Sequence, residues 1–101
     1  MKKLLLLTVL IITFSCNSKK EKIQTAEVAC GQCQFGLTSQ NGCDLAIKIN
    51  NKSYFVDGFG IDDFGDAHNK GTGFCEVIRT GMVSGEIVDG RFKASAIELS
   101  E

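Results

Sequence analysis

The strongest constraint on the fold is an alternation of apolar and polar residues that runs directly into a tight-turn sequence. Residues 43–49 place an apolar side chain at every second position, which is typical of a strand with one buried face. Asn50 and Asn51 follow, and asparagine tolerates the positive φ that a two-residue hairpin requires. Such a turn sets Ile47 opposite Tyr54, so the apolar faces coincide and the segment predicts a β-hairpin.

A second hairpin is predicted around Asp89 and Gly90, a pair that strongly favours a two-residue type I′ turn. The turn sets Ile87 opposite Phe92. The last apolar residues of the chain fall out of phase with Phe92. A β-bulge near residues 95–97 would bring them back to the same face.

The order of the remaining elements predicts the fold class. A further strand is expected at residues 25–30, and residues 57–79 contain two segments suited to short helical turns, one from Asp62 and one over Phe74–Arg79 with Ile78 facing inward. Three strands, a helical connection and two strands make an all-β domain that resembles the OB fold, a five-stranded, partly open barrel. A small irregular β-sandwich is the alternative.

The N-terminus resembles the export signal of a bacterial lipoprotein. Lys2 and Lys3 precede an apolar run that is too short to span a bilayer but suits a signal peptide over residues 1–15. The run ends in a small residue before Cys16, as in a lipobox, which implies cleavage there and a lipid on the thiol. Residues 16–23 would form a lipidated, flexible tether that anchors the protein to a membrane of the bacterial cell envelope, facing the periplasm or the surface. The alternative is an ordinary secretory signal with Cys16 as a free thiol.

The charge of the domain argues against a nucleic acid as partner. Residues 24–101 form one domain and carry six basic and eleven acidic side chains, a formal net charge of −5. Proteins that bind DNA or RNA normally carry a basic surface that neutralises phosphates. The expected contacts are therefore the membrane, through the lipid anchor, and a protein or small molecule that the sequence does not identify.

Four cysteines and one histidine are the candidate functional residues. An even number of cysteines in a small exported domain, here Cys30, Cys33, Cys43 and Cys75, most often indicates two disulfides, in one of three pairings. The first two also have the C-x-x-C spacing of metal sites, so zinc or copper held by these sulfurs, with His68 as a further ligand, is the second interpretation. A redox-active dithiol is the third.

The predicted fold brings the cysteines towards one end of the barrel. Cys30 and Cys33 close the first strand, Cys43 opens the second, and Cys75 joins them if the connection packs against that end. Two separate close pairs would support disulfides, because a disulfide needs Cα atoms within about 7 Å. One cluster of sulfurs would support a metal site.

Enzymatic activity is not expected from the motifs present. A thioredoxin-like enzyme needs a proline facing its C-x-x-C pair, and this chain has none; haem attachment needs a histidine where Gln34 stands. Four carboxylates and His68 lie within residues 57–68, a set that suits a hard cation or acid–base chemistry. Their spacing does not fit an EF-hand loop and favours a capped helical turn.

Several motifs together resemble a family of small bacterial lipoproteins classed as a domain of unknown function. The motifs are VACGQCQFGL at residues 28–37, GCDLAIKI at 42–49, and then DDFGDAH, GFC and VSGEIVDGRFKAS. The resemblance covers residues 26–99, and the family is associated chiefly with the Bacteroidota. It implies no activity, ligand or functional residue.

Two functions remain open at this point. The first is a lipid-anchored, non-enzymatic binding domain of the cell envelope, held together by disulfides. The second is a thiol-active envelope protein that binds a soft metal ion, zinc or copper, or cycles a redox dithiol. The arrangement of the four cysteines in space discriminates between them.

Overall fold

The computed structural model describes residues 22–100, which fold into five strands and one helical turn. In chain order these are β1 (Lys22–Cys30), α1 (Gly31–Gln34), β2 (Leu45–Ile49), β3 (Lys52–Asp57), β4 (Arg79–Val88) and β5 (Arg91–Leu99). No helix in this part of the chain is long and apolar enough to cross a membrane. The predicted signal peptide, residues 1–15, and Cys16 lie outside the described residues, and β1 begins inside the predicted tether.

The five strands close into one barrel in the order β1-β2-β3-β5-β4. Closure depends on β1, which is long enough to pair with both β2 and β4, so that Glu27 and Val28 have partners on either side. β3 and β5 pair in parallel, and the other pairs of this sheet are antiparallel. The predicted all-β, OB-like barrel is confirmed, in a closed rather than a partly open form, and the strands do not form the alternative β-sandwich.

Both predicted hairpin turns are present, and their backbones explain the residues that occupy them. The central residues all have positive φ: 51° at Asn50, 69° at Asn51, 52° at Asp89 and 78° at Gly90. Asn, Asp and Gly accept this left-handed conformation at the least cost. The registers are also as predicted, with Ile47 opposite Tyr54 and Ile87 opposite Phe92.

The bulge predicted in the last strand is present. Gly85 pairs with Ala94, but Ser84 pairs with Ala96, so Ser95 is an additional residue on β5. The residue of β4 at this irregularity, Gly85, has to be glycine. Its φ is 154°, and a Cβ there would collide with the backbone of β5. The extra residue bends β5 and helps to close the barrel.

Residues 58–78, which connect β3 to β4, form a loop of successive turns. Neither of the two helical segments predicted there is a helix in the structure. The second predicted segment forms a single turn, in which the Val77 N–H donates to the Gly73 carbonyl oxygen at 2.9 Å. Phe74 is buried, but Ile78 is 44% exposed, contrary to the prediction that it faces inward. The β-branched pair Val77 and Ile78 leads directly into β4, so the chain extends before a second helical turn can form.

Helix α1 and the loop after it cover the outer face of β2 and β3. Ala46 and Phe55 pair across these strands and lie outside the core cluster, yet they are only 0% and 5% exposed. Gly31 lets the cover fit closely, since a Cβ there would lie 2.7 Å from the Phe55 ring and 3.0 Å from Leu37. This packing fixes the segment that carries two of the four cysteines against the barrel.

Candidate metal centre

The four cysteines of the barrel converge on one point. The sulfur atoms of Cys30, Cys33, Cys43 and Cys75 all lie within 4.8 Å of one another, and all four thiols are free. The predicted convergence, including that of Cys75, is confirmed. The two disulfides expected from the cysteine count are not formed in this structure, where the sulfurs make one cluster rather than two separate pairs.

The C-x-x-C pair meets across the junction of β1 and α1. Cys30 ends the strand and is fully buried, and its backbone N–H donates to the Phe74 carbonyl oxygen at 3.0 Å. The helical turn that follows returns Cys33 to the same side, because residues three apart on a helix are neighbours. The Cys30 sulfur accepts the Cys33 N–H at 3.4 Å and so caps the turn that carries its partner. Cys33 itself is exposed.

Cys43 and Cys75 come from two separate loops. Cys43 is half-buried just before β2, and its thiol donates to the Cys30 sulfur at 2.9 Å. Cys75 is also half-buried, and its N–H donates to the Ala67 carbonyl oxygen at 3.0 Å. The adjacent Phe74 is only 2% exposed, so this loop is anchored in the core at the residue next to the cysteine.

The close packing of the sulfurs separates their pKa values. Burial opposes ionisation of Cys30, but hydrogen bonds from Cys43 and Cys33 outweigh it and lower the Cys30 pKa below its ordinary value. The hydrogen bond with Cys30 is the main cause that raises the pKa of Cys33 to about 11. Burial, followed by the hydrogen bond with Cys30, raises the pKa of Cys43. Among these three thiols the pKa is therefore lowest at Cys30.

The arrangement fits a tetrahedral thiolate site. Zinc binds thiolate sulfur at about 2.3 Å, which places the sulfurs of a regular tetrahedron about 3.8 Å apart. The sulfurs of Cys30 and Cys43 are closer than this, at 2.9 Å. The largest separation between any two sulfurs of the cluster does not exceed 4.8 Å. Small side-chain rotations therefore suffice, and a donor set of four sulfurs suits zinc or a soft ion such as copper(I).

His68 is not brought into this cluster. It is exposed, and its backbone N–H donates to the Asp66 carboxylate at 2.9 Å, while the four converging ligand atoms are all sulfurs. The buried position in its loop belongs to the neighbouring Ala67, which is 5% exposed. The predicted set of cysteines therefore assembles without the predicted histidine.

The carboxylates of residues 57–68 are used separately rather than as one site. Asp57 forms an ion pair with Arg91 at 2.9 Å. Asp63, rather than the predicted Asp62, accepts a backbone N–H, that of Gly60 at 2.7 Å. Within residues 22–100, the converging group of metal-ligating side chains is the cysteine cluster.

A network of side-chain amides, which the sequence did not reveal, adjoins the cysteines. The Asp44 carboxylate accepts N–H groups from Gln40 at 2.8 Å and from Gln32 at 2.9 Å, and these hydrogen bonds hold its pKa below the ordinary value. Gln40 in turn accepts from the Arg91 guanidinium at 3.0 Å. No local sequence pattern points to this network, because Arg91 and Gln32 are far apart in the chain.

Comparison with known proteins identifies a family for this chain. No curated protein and no solved structure matches the chain. A model described as a family of unknown function, DUF6370, matches residues 24–100, which is the barrel apart from the first two residues of β1. The match agrees with the predicted resemblance to a domain of unknown function over residues 26–99. The chain belongs to the DUF6370 family.

Proposed function

We propose that this protein is anchored by lipid in the bacterial cell envelope and that its barrel binds one soft metal ion, zinc or copper(I), through four thiolates. The observation that carries the metal proposal is the convergence of four sulfurs, those of Cys30, Cys33, Cys43 and Cys75, within 4.8 Å. The barrel acts as a binding domain without catalytic activity. The bound ion joins α1 and two loops to β1 and thereby adds to folding stability.

A metal accounts for the geometry better than two disulfides do. A disulfide joins two sulfurs at about 2.05 Å and gives no reason for a second pair to lie against the first. A tetrahedral ion needs all four sulfurs around one point. The strand β1, the helix α1 and the loops before β2 and β4 each supply one sulfur, which is how a closed thiolate site is built from separate segments.

Titration of the reduced protein with zinc should show one ion bound per chain by native mass spectrometry. The ion should also protect four thiols from alkylation, because each sulfur is then a metal-bound thiolate. The matched control is His68→Ala, which should bind the same amount of zinc since His68 lies outside the cluster.

Two outcomes contradict the metal proposal. Thiols that stay fully reactive with zinc in excess exclude a four-sulfur site. Thiols that are unreactive in the metal-free protein until a reductant is added show that two disulfides take its place. Tighter binding of copper(I) than of zinc would identify the ion and leave the site unchanged.

The lipid anchor is supported by the N-terminal sequence. Lys2 and Lys3, the apolar run after them and the small residue before Cys16 are the features of a lipoprotein signal. Because β1 begins at Lys22, a link of only a few residues would join the lipid to the barrel. The cluster, at the Cys30 end of β1, would then lie at the opposite end of that strand from the lipid link.

Replacing Cys16 with serine should abolish lipid labelling and leave the precursor uncleaved, because lipid transfer requires the thiol and cleavage follows it. Labelling of cells with a palmitate analogue, and the size of the product on gels, check this. Cys33→Ser removes an exposed cysteine of the barrel and should leave labelling unchanged. Normal maturation of the Cys16→Ser variant to a soluble form would contradict the anchor.

Two properties of the barrel support a partner other than nucleic acid. The domain is acidic, with six basic and eleven acidic side chains over residues 24–101. The outer face of strands β2 and β3, with which OB folds bind oligonucleotides, is covered here by α1 and the loop after it.

A further inference from the structure

Gln32, which lies between the two cysteines of the C-x-x-C pair, is hydrogen-bonded to the loop that carries Cys43. Its Nε2 donates to the Asp44 carboxylate and its Oε1 accepts the Asp44 N–H, both at 2.9 Å. A third hydrogen bond joins α1 to this loop, from the Gly31 N–H to the Asp44 carbonyl oxygen at 2.8 Å. The position of Cys43 relative to α1 is therefore fixed through its neighbour in sequence.

Gln34, on the other side of Cys33, reaches the loop that carries Cys75. Its Nε2 donates to the Cys75 carbonyl oxygen at 2.9 Å. The Cys30 N–H holds the same loop one residue earlier, at the Phe74 carbonyl oxygen. One helical turn thus binds both loops that complete the cluster.

Glutamine suits this role because its amide provides a donor and an acceptor without a charge. Four thiolates around one ion carry more negative charge than a divalent cation neutralises. An acidic residue in place of a glutamine would add to the repulsion between them, and a basic residue would compete with the ion for the thiolates. The side-chain amides of Gln32 and Gln34 are already hydrogen-bonded to Asp44 and Cys75. An amide is also a hard ligand that a soft metal ion does not prefer. Gln32 and Gln34 therefore act on the loops and not on the ion.

We propose that Gln32 and Gln34 are positioning residues of the metal site, which hold Cys43 and Cys75 beside the C-x-x-C pair before the ion binds. This proposal rests on the function proposed above. A site assembled in advance binds the ion without having to order two loops. Loss of either glutamine should therefore weaken binding.

Replacing Gln32 with leucine, which has a similar size and makes no hydrogen bonds, should lower the affinity for zinc by about 10- to 100-fold. The matched control is Gln24→Leu, the same change near the start of β1. Affinities come from competition with a chelator, and circular dichroism shows whether each variant is folded. Equal affinities for the two folded variants overturn the proposal.

A reversal of the hydrogen bond gives a readout that a general loss of stability would not move. Gln32→Glu alone sets a second carboxylate against that of Asp44. Gln32→Glu combined with Asp44→Asn restores the contact, with the donor now at position 44. Zinc affinity should fall in the single variant and recover in part in the double variant, because the pairing returns while the carboxylate at position 32 stays beside the sulfurs. A double variant that binds zinc no better than the single variant overturns the pairing.

The reduced, metal-free protein provides a test that does not depend on zinc. Alkylation of Cys75 should be about 2- to 10-fold faster in Gln34→Leu than in the unmodified chain, because one hydrogen bond no longer holds its loop. Cys43 should respond in the same way to Gln32→Leu. Unchanged rates overturn the positioning role even if zinc binds, whereas faster alkylation in a protein that binds no metal overturns only the proposed function.

Discussion

Replacing Cys30 with serine should lower the affinity of the protein for zinc by about 100- to 1000-fold. Zinc binding by four ligands in a small domain contributes about 10–16 kcal/mol, so one ligand accounts for about 2.5–4 kcal/mol. Serine stays protonated at neutral pH and does not replace a thiolate. Water cannot readily take the vacant position, because Cys30 is fully buried.

Cys30 also organises the other sulfurs, which is why its loss should be the most severe. Its sulfur accepts the Cys33 N–H at 3.4 Å and the Cys43 thiol at 2.9 Å. The measurement is competition with a chelator of known zinc affinity. His68→Ala, which alters a residue outside the cluster, is the control and should bind zinc normally. Unchanged affinity in the Cys30→Ser variant would show that the cluster is not the metal site.

The largest loss of folding stability is expected from Phe74→Ala, about 3–5 kcal/mol. Phe74 is 2% exposed and packs edge-to-face against Phe64, with ring centroids 5.8 Å apart. Alanine would leave a cavity among closely packed strands. The loop that carries Cys75 would lose its anchor in the core at the same time, so the affinity for zinc should also fall.

Urea unfolding with and without zinc measures both effects of the Phe74 substitution. Phe59→Ala is the matched control, because Phe59 is an aromatic residue of the same loop that is only partly buried. The control should lose much less stability and keep its zinc affinity. Similar losses in the two variants would mean that Phe74 has no special role in joining the core to the site.

The hairpins were predictable because a few consecutive residues decide each of them. Asn50 and Asn51, like Asp89 and Gly90, favour positive φ whatever surrounds them, and the register follows from the turn by counting. The bulge followed from the same counting, since the apolar residues after it were out of phase. These local signals were sufficient for the pairs β2–β3 and β4–β5, whereas closure through β1 and the parallel pair β3–β5 joins residues that no turn connects.

The connection between β3 and β4 was not predictable in the same way. The segment from Phe74 to Ile78 has the spacing of a helical face, but its length before β4 allows only one turn. Cys75 nevertheless reaches the cluster, because burial of Phe74 alone is enough to anchor the loop. The expectation for Cys75 held although the helix on which it was based did not form.

The candidate site was predictable in its four cysteines, whereas the predicted histidine, His68, lies outside it and the hydrogen bonds around it were not foreseen. The C-x-x-C spacing of Cys30 and Cys33 indicated a metal site, while the even number of cysteines favoured two disulfides between the same residues. The distances in the folded chain, with all four sulfurs within 4.8 Å of one another, favour the metal interpretation. The hydrogen bonds of Gln32 join residues far apart in sequence, so no local pattern could show them.

X-ray absorption spectroscopy of the zinc-bound protein is a direct test of the four-sulfur site, because it reports the number and type of atoms bound to the ion. The convergence of Cys30, Cys33, Cys43 and Cys75 predicts a single shell of four sulfurs at about 2.3 Å from zinc. A shell with fewer than four sulfurs, or one that contains nitrogen from His68, would contradict zinc binding by the four cysteines.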